Sequence, residues 1–249
     1  MLNTVYILWL RQLKKYFRSR SRIIGSLAQP MLYLLAFGYG LGSVFAKAGQ
    51  GSYIQFLAPG ILLMSVLFTS VFSGIELIWD RQFGFLKETL VAPVSRFHIM
   101  LGRTLGGATV ATIQGAIVFV LTLIVGFRPH NWGLVPVGLV FVFLVALMFT
   151  ALGTLIATQL EDMQGFQLII NFLVMPVFFL SGAMFPLDNL PKAVEIISRI
   201  DPLTYGVDGL RSTFINITTI GVTTDLFILV VLTGVTLAIG GYLFDRIQV

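Results

Sequence analysis

Pro129–Leu160 reads PHNWGLVPVGLVFVFLVALMFTALGTLIATQL, a run without a single Asp, Glu, Lys or Arg, closed by Arg128 on one side and Glu161 on the other. A helix needs about 20 apolar residues to cross roughly 30 Å of hydrocarbon. An ionised side chain in that medium costs about 3 kcal/mol or more. Uncharged gaps of this length are therefore the most direct map of membrane spans. Working outward, five more appear: Ile23 to Ala46, Ala48 to Ile75, Thr104 to Phe127, Met163 to Leu187 and Leu226 to Phe244. The next longest, Ser212 to Thr224, is too short and too rich in threonine to cross. The runs are continuous in Leu, Ile, Val and Phe, without the alternation of β-barrel strands. The expected fold is an all-α membrane protein with six transmembrane helices, one domain over residues 1–249.

Composition agrees. The chain is 57% hydrophobic and 11% charged, with mean hydropathy +0.93, whereas a soluble domain carries roughly 25% charged residues. Soluble enzyme folds are disfavoured. The net charge of +5 comes from 16 basic residues spread along the chain, which form no continuous phosphate-binding stripe. Their distribution reads instead as topology. Six spans put both termini on one side; that side carries 11 Lys and Arg and the other five. Positive-inside bias then makes both termini cytoplasmic. The absence of cysteine removes disulfides and thiolate chemistry. Six basic residues in the first 22 and no small-residue cleavage site argue against a removed signal peptide.

Three segments lie outside the spans. Residues 1–22 have helical period: Leu2, Val5, Tyr6, Trp9, Leu10, Leu13, Tyr16 and Phe17 share one arc, and Arg11, Lys14, Lys15, Arg18 and Arg22 the other. An interfacial helix is expected, its cations toward anionic lipid; a simple anchor and a helix that touches a cytoplasmic partner fit equally. Residues 79–98 form the sizeable cytoplasmic loop. Phe83, Phe85, Leu86, Leu90 and Val91 surround Lys87 and Glu88 at short-helix spacing before Pro93 stops the helix. This piece is either a helix lying on the membrane or a docking knob for a cytoplasmic protein. Residues 186–225 face outside, with a short helix capped by Asn189 carrying Val194, Ile197 and Ile200, and a second piece near Tyr205 to Phe214; a lid dipping into the outer leaflet is expected, and a passive amphipathic cover fits equally.

Chemistry is sparse. No G-x-x-x-x-G-K-[ST] cradles nucleotide phosphates, so the chain should not hydrolyse ATP. H-E-x-x-H is absent, and His98 and His130 fall on opposite sides of the membrane. No catalytic residue and no metal site is expected. Gly38-Tyr-Gly-Leu-Gly42 and the Gly102/Gly106 pair read as helix packing. Glu76 near the end of the second span reads as snorkelling or as pairing with Arg81 or Arg103 rather than relaying protons. Pro30, Pro59, Pro136 and Pro176 read as packing kinks before gating hinges.

Four stretches in order, the basic N-terminus, Phe56-Leu-Ala-Pro-Gly60, Phe85-Leu-Lys-Glu-Thr-Leu-Val-Ala-Pro-Val-Ser-Arg96 and Phe179-Leu-Ser-Gly-Ala-Met-Phe-Pro186, make the chain resemble the membrane subunit of ABC-2 type exporters. Asp201-Pro-Leu-Thr-Tyr205 and Gly209-Leu-Arg211 resemble the family's segment before its last helix. The resemblance implies a permease in the prokaryotic cytoplasmic membrane, a homodimer working with two ATP-binding subunits that hold the ATP and Mg, with no cofactor in this chain. It implies a coupling helix formed by Arg81, Phe83, Phe85, Leu86, Lys87 and Glu88, and a substrate route along the second and fifth spans. There the sequence offers Met64, Phe68, Phe72, Asn171, Met175 and Phe178, a surface suited to a hydrophobic or amphipathic, drug-like compound. Polysaccharide or lipid-linked glycan export is the alternative within the family. An ion-coupled carrier or channel and a membrane enzyme are the alternatives outside it.

Overall fold

The structure, a computed structural model, describes residues 2–47, 51–91, 93–187 and 191–247. Among them every regular element is helical, and six helices are long and apolar enough to cross a membrane. The first expected span is α2, Arg20–Gly40, followed after Leu41 by the short α3, Gly42–Lys47. Of the three glycines from Gly38 to Gly42 only Gly38 packs, against Ile54; Gly40 and Gly42 flank the break between the helices with open space at their Cα atoms. The second is α4, Tyr53–Phe72, continued after a short turn by α5, Ile75–Gln82. Trp79, Asp80 and Arg81, expected in a loop, therefore extend the second span. The helix α6, Phe85–Val91, follows. Next come α7, Arg96–Val125, α8, Val135–Gln159, and α9, Met163–Leu180. The last two are joined through Asp162, whose carboxylate caps α9 by accepting the Gly165 N–H.

Burial is uneven. α4 is the hub, with Leu57 to Leu67 inaccessible and α2, α7 and α8 around it. α2, α9 and α12, Val222–Asp245, are peripheral and expose Leu32, Tyr39, Leu168, Phe172, Phe227 and Tyr242. Such side chains are at home in lipid or against another apolar helix.

Two helices depart from the sequence expectation. The N-terminal helix α1, Leu2–Arg18, does not lay its full apolar arc outward. It packs along α7, burying Leu8, Leu13 and Tyr16 and leaving Tyr6, Ile7 and Phe17 exposed. Gly102 and Gly106 are the reason: a Cβ at either would run into Val5 and Leu8 or into Gln12, so the pair makes the groove that α1 fills. Trp9 and Tyr16 then donate hydrogen bonds to Thr109 and Gln114 on the same helix. Leu2 has no described side chain.

The second departure lies in residues 186–225. α10, Lys192–Ile200, is as exposed as a lid, with Ile196, Ile197 and Ile200 outward. Asn189, expected to cap it, lies outside the described residues, and the chain enters at Pro191. α11, Pro202–Ile215, is no surface lid: from Leu203 to Ile215 all but Tyr205 are buried, wedged among α4, α8 and α12. Glycines make the wedge possible, because a side chain at Gly209 would overlap Phe141, and one at Gly138 would overlap Phe214. Hydropathy missed this because the helix is too short to span and is solvated by protein rather than lipid.

Candidate functional site

At the end of the bundle carrying α1, α5 and α6, two carboxylates one helical turn apart organise the basic residues. Asp80 accepts two hydrogen bonds from Arg11, at 3.0 and 3.1 Å, and one from Arg103. Glu76 pairs with Lys15 at 3.3 Å and Arg22 at 3.1 Å. Both acids and Arg103 are buried. Ion pairs in such surroundings are weak stabilisers as a whole, but removing one partner strands the other at about 3–5 kcal/mol. The sequence left snorkelling or pairing with Arg81 or Arg103 open for Glu76; it is ion-paired, but with Lys15 and Arg22. Arg81 instead donates to the carbonyls of Leu160 at 2.9 Å and Thr158 at 3.2 Å, satisfying the orphan acceptors at the end of α8. Asp80 was not singled out. Its signal was available: Glu76 and Asp80 at i, i+4 match Arg11 and Lys15 at i, i+4, which is what two helices meeting antiparallel would show.

This reverses part of the expectation for α1. Arg11, Lys15 and the still exposed Arg22 turn to carboxylates of the bundle, whereas Lys14 and Arg18 of that arc are exposed and take no ion pair among the described residues. The Asp80 hydrogen bond outweighs partial burial and holds the Arg11 guanidinium above its ordinary pKa.

α6 hangs from this assembly. Leu86 is wholly buried and anchors the helix in the core, while Phe83, Phe85, Lys87, Glu88 and Val91 are exposed. Arg11 lies 5.9 Å from the Phe85 ring centre and Lys15 5.5 Å from Trp79, so the cations that clasp the acids also touch the aromatics. The outer face of α6 and the exposed side of α1 are thus neighbours.

The six residues named for a substrate route separate. Met64, Phe68 and Phe72 line a cavity of 330 Å³ bounded by α1, α2, α4 and α7. Phe178 is buried in the core, whereas Asn171 and Met175 face outward on α9. None of the three α9 residues lines that cavity.

The far end is held differently. Arg211 lies 3.6 Å from the centre of the Phe56 ring and donates to the carbonyls of Phe56 at 3.3 Å and Ala183 at 2.9 Å. Tyr53 donates to the Met184 carbonyl at 2.9 Å. Three stretches far apart in sequence, Phe56–Gly60, Phe179–Pro186 and Gly209–Arg211, therefore meet at one place. Asp208 accepts the N–H groups of Thr219, Ile220 and Gly221 at 2.8, 2.9 and 3.4 Å. Asp201 caps α11 through the Leu203 N–H, but its second oxygen is buried without a partner. Burial pushes its carboxyl up to about 7 against the opposing effect of that cap. His98 lies in the first turn of α7 and His130 beyond its other end, and among the described residues no three acidic or histidine side chains gather as a metal site.

Residues 3–215 match the family model described as ABC-2 type transporter. Among curated proteins, the chain is 33% identical over 196 residues to the ycf38 protein of Cyanophora paradoxa, covering 76% of this chain and 66% of that one. It is 30% identical over 191 residues to nodulation protein J of Rhizobium leguminosarum bv. trifolii, covering 76% and 72%. It is 27% identical over 227 residues to the inner membrane transport permease YadH of Escherichia coli K12, covering 90% and 88%.

Proposed function

The chain belongs to the ABC-2 type transporter family, whose members are membrane transport subunits served by a separate ATP-binding subunit, and on that premise we propose that it is the permease of an ATP-driven exporter for a hydrophobic or amphipathic compound. It sits in the cytoplasmic membrane with both termini inside and works as a homodimer with two ATP-binding subunits. The inner-membrane name of the YadH relative and the excess of Lys and Arg on the α1 side support that placement.

The observation that carries the reading is the pairing of an anchored helix with an unpartnered face. Leu86 fixes α6 to the core while Phe83 and Phe85 are 72% and 53% exposed. Two aromatics held rigidly outside the hydrocarbon need a groove to fill, and Lys87 and Glu88 beside them supply polar contacts. The ATP-binding subunit is the partner that suits them. A push on α6 reaches α1 through Arg11 and α7 through the Asp80–Arg103 pair.

Co-purification with the ATP-binding subunit, followed by ATP hydrolysis with candidate cargo, tests this. Phe85→Ala with Glu88→Ala should leave insertion and the bundle intact, abolish cargo-stimulated hydrolysis and reduce transport at least about tenfold, the loss of one aromatic anchor and one polar contact. Full transport by the chain alone, or by the double variant, overturns the reading.

A further inference from the structure

The cavity between α1, α2, α4 and α7 is a built chamber rather than a packing gap. Its residues run along the second span from Glu76 at the basic end to Met64, and twelve residues of helix make a depth of about 18 Å. Phe68 and Phe72 stack one turn apart with ring centres 6.3 Å from each other and form an apolar wall. The Ser65 hydroxyl, at a residue 3% exposed, borders the inner part and has no hydrogen-bond partner. At the mouth, Glu76 is met by two cations, Lys15 and Arg22, which leaves one positive charge in excess. Arg22 and Gln29 are exposed on the α2 side, so the chamber is open laterally. A volume of 330 Å³ falls at the small end of ligand pockets, about 300–1,000 Å³.

We propose that this chamber binds one single-chain amphiphile with an anionic head group, the head at Arg22 beside Glu76 and the chain along Phe72 and Phe68 toward Met64. The shape selects one chain, because the depth is several times what a compact solute would use and the volume has no room for two. The charge selects the head: Arg22 keeps guanidinium N–H groups beyond the one given to Glu76, and an acidic head shares them while a cationic head meets net repulsion. The site lies inside one protomer and excludes α9, so it differs from a route along the second and fifth spans. Two sources share this chemistry, a resident lipid of the adjoining leaflet and the exported cargo. As a binding site the proposal stands alone; as a cargo site it rests on the exporter reading.

The test uses the complex with its ATP-binding subunit in phosphatidylcholine nanodiscs, photolabelled with a diazirine derivative of palmitate or of hexadecanol and mapped by mass spectrometry. Adducts of palmitate on the peptide containing Met64, Phe68 and Phe72 are expected. Ser65→Trp, which fills the chamber, should reduce labelling by both probes; Arg22→Gln, which leaves Lys15 on Glu76, should reduce palmitate labelling about tenfold and hexadecanol labelling little. If the tryptophan variant does not assemble, the two probes on Arg22→Gln decide. Adducts confined to the outward faces of α9 and α12, or palmitate labelling indifferent to Arg22→Gln, overturn the proposal. Labelling that falls on addition of Mg-ATP assigns the site to cargo, and constant labelling assigns it to a resident lipid. Failure of the ATP-binding subunit to co-purify removes the exporter reading and leaves the map of the chamber to be read on its own.

Discussion

Both ends of the bundle bury charge, yet they compensate it by opposite means. At the basic end, Asp80 and Glu76 are neutralised by side chains: Arg11, Lys15, Arg22 and Arg103, drawn from three other helices. At the far end, Arg211 and Asp208 are held mainly by uncharged backbone groups, the carbonyls of Phe56 and Ala183 and the amides of Thr219 to Gly221, with the Thr218 hydroxyl also donating to Asp208. Side-chain ion pairs tolerate a change of partner or rotamer, so α1, α5 and α7 can shift relative to one another without leaving a bare charge. Backbone partners permit no exchange. On the proposed function, motion is expected at the end where the ATP-binding subunit would push, and rigidity at the wedge formed by α11.

The contrast can be broken in several ways. Asp80→Ala should have the largest effect, because Arg103 is then buried without its carboxylate; a loss of about 3–5 kcal/mol is expected in thermal or denaturant unfolding of the reconstituted protein. A loss below about 1 kcal/mol would mean that the basic end is already hydrated. Arg211→Met should cost about 2–3 kcal/mol, since two buried carbonyls lose their donor and the Phe56 ring its cation, and the loss should be the same in low and high salt. Lys15→Ala, at a partly exposed side chain, should cost about 1 kcal/mol or less, and raising the salt should shrink that loss. Equal salt dependence at the two ends would dissolve the distinction drawn above.

A separate, pH-dependent effect concerns Asp201, whose raised pKa of about 7 compares with 3.8 for the free side chain. A carboxyl raised on folding contributes stability that is full below pH 3.8 and is lost as pH rises through about 7. Asp201→Asn keeps the cap on α11 and removes the titration. The wild type should therefore lose more stability than the variant between pH 5 and 7, and the difference between the two curves should level off above that range. Parallel curves would show that water reaches the unpartnered oxygen.

How far the sequence could be read differs by element. The six spans were legible because lipid penalises charge residue by residue, and α7 or α8 needs no neighbour to declare itself. Their ends were less so. Trp79, Asp80 and Arg81 looked like loop because charge near the interface is tolerated when partners exist, and those partners, Arg11, Arg103 and the carbonyls of α8, lie far along the chain. α6 was legible from the spacing of Phe83, Phe85 and Leu86 up to Pro93, but not that Leu86 faces inward while both phenylalanines face out. The substrate residues were chosen from the helices on which they lie; Met64, Phe68 and Phe72 share a chamber with α1 and α2, and the α9 residues do not join them.

The sequence by itself determined that this is an all-helical chain with six helices long and apolar enough to cross a membrane, because both follow from local transfer of side chains between water and lipid. Tertiary structure alone decided that α1 lies in the groove of Gly102 and Gly106, that α11 enters the bundle, and which cation meets which carboxylate. Those outcomes depend on close approach and on charges meeting across tens of residues, quantities that periodicity and hydropathy along a single chain do not contain.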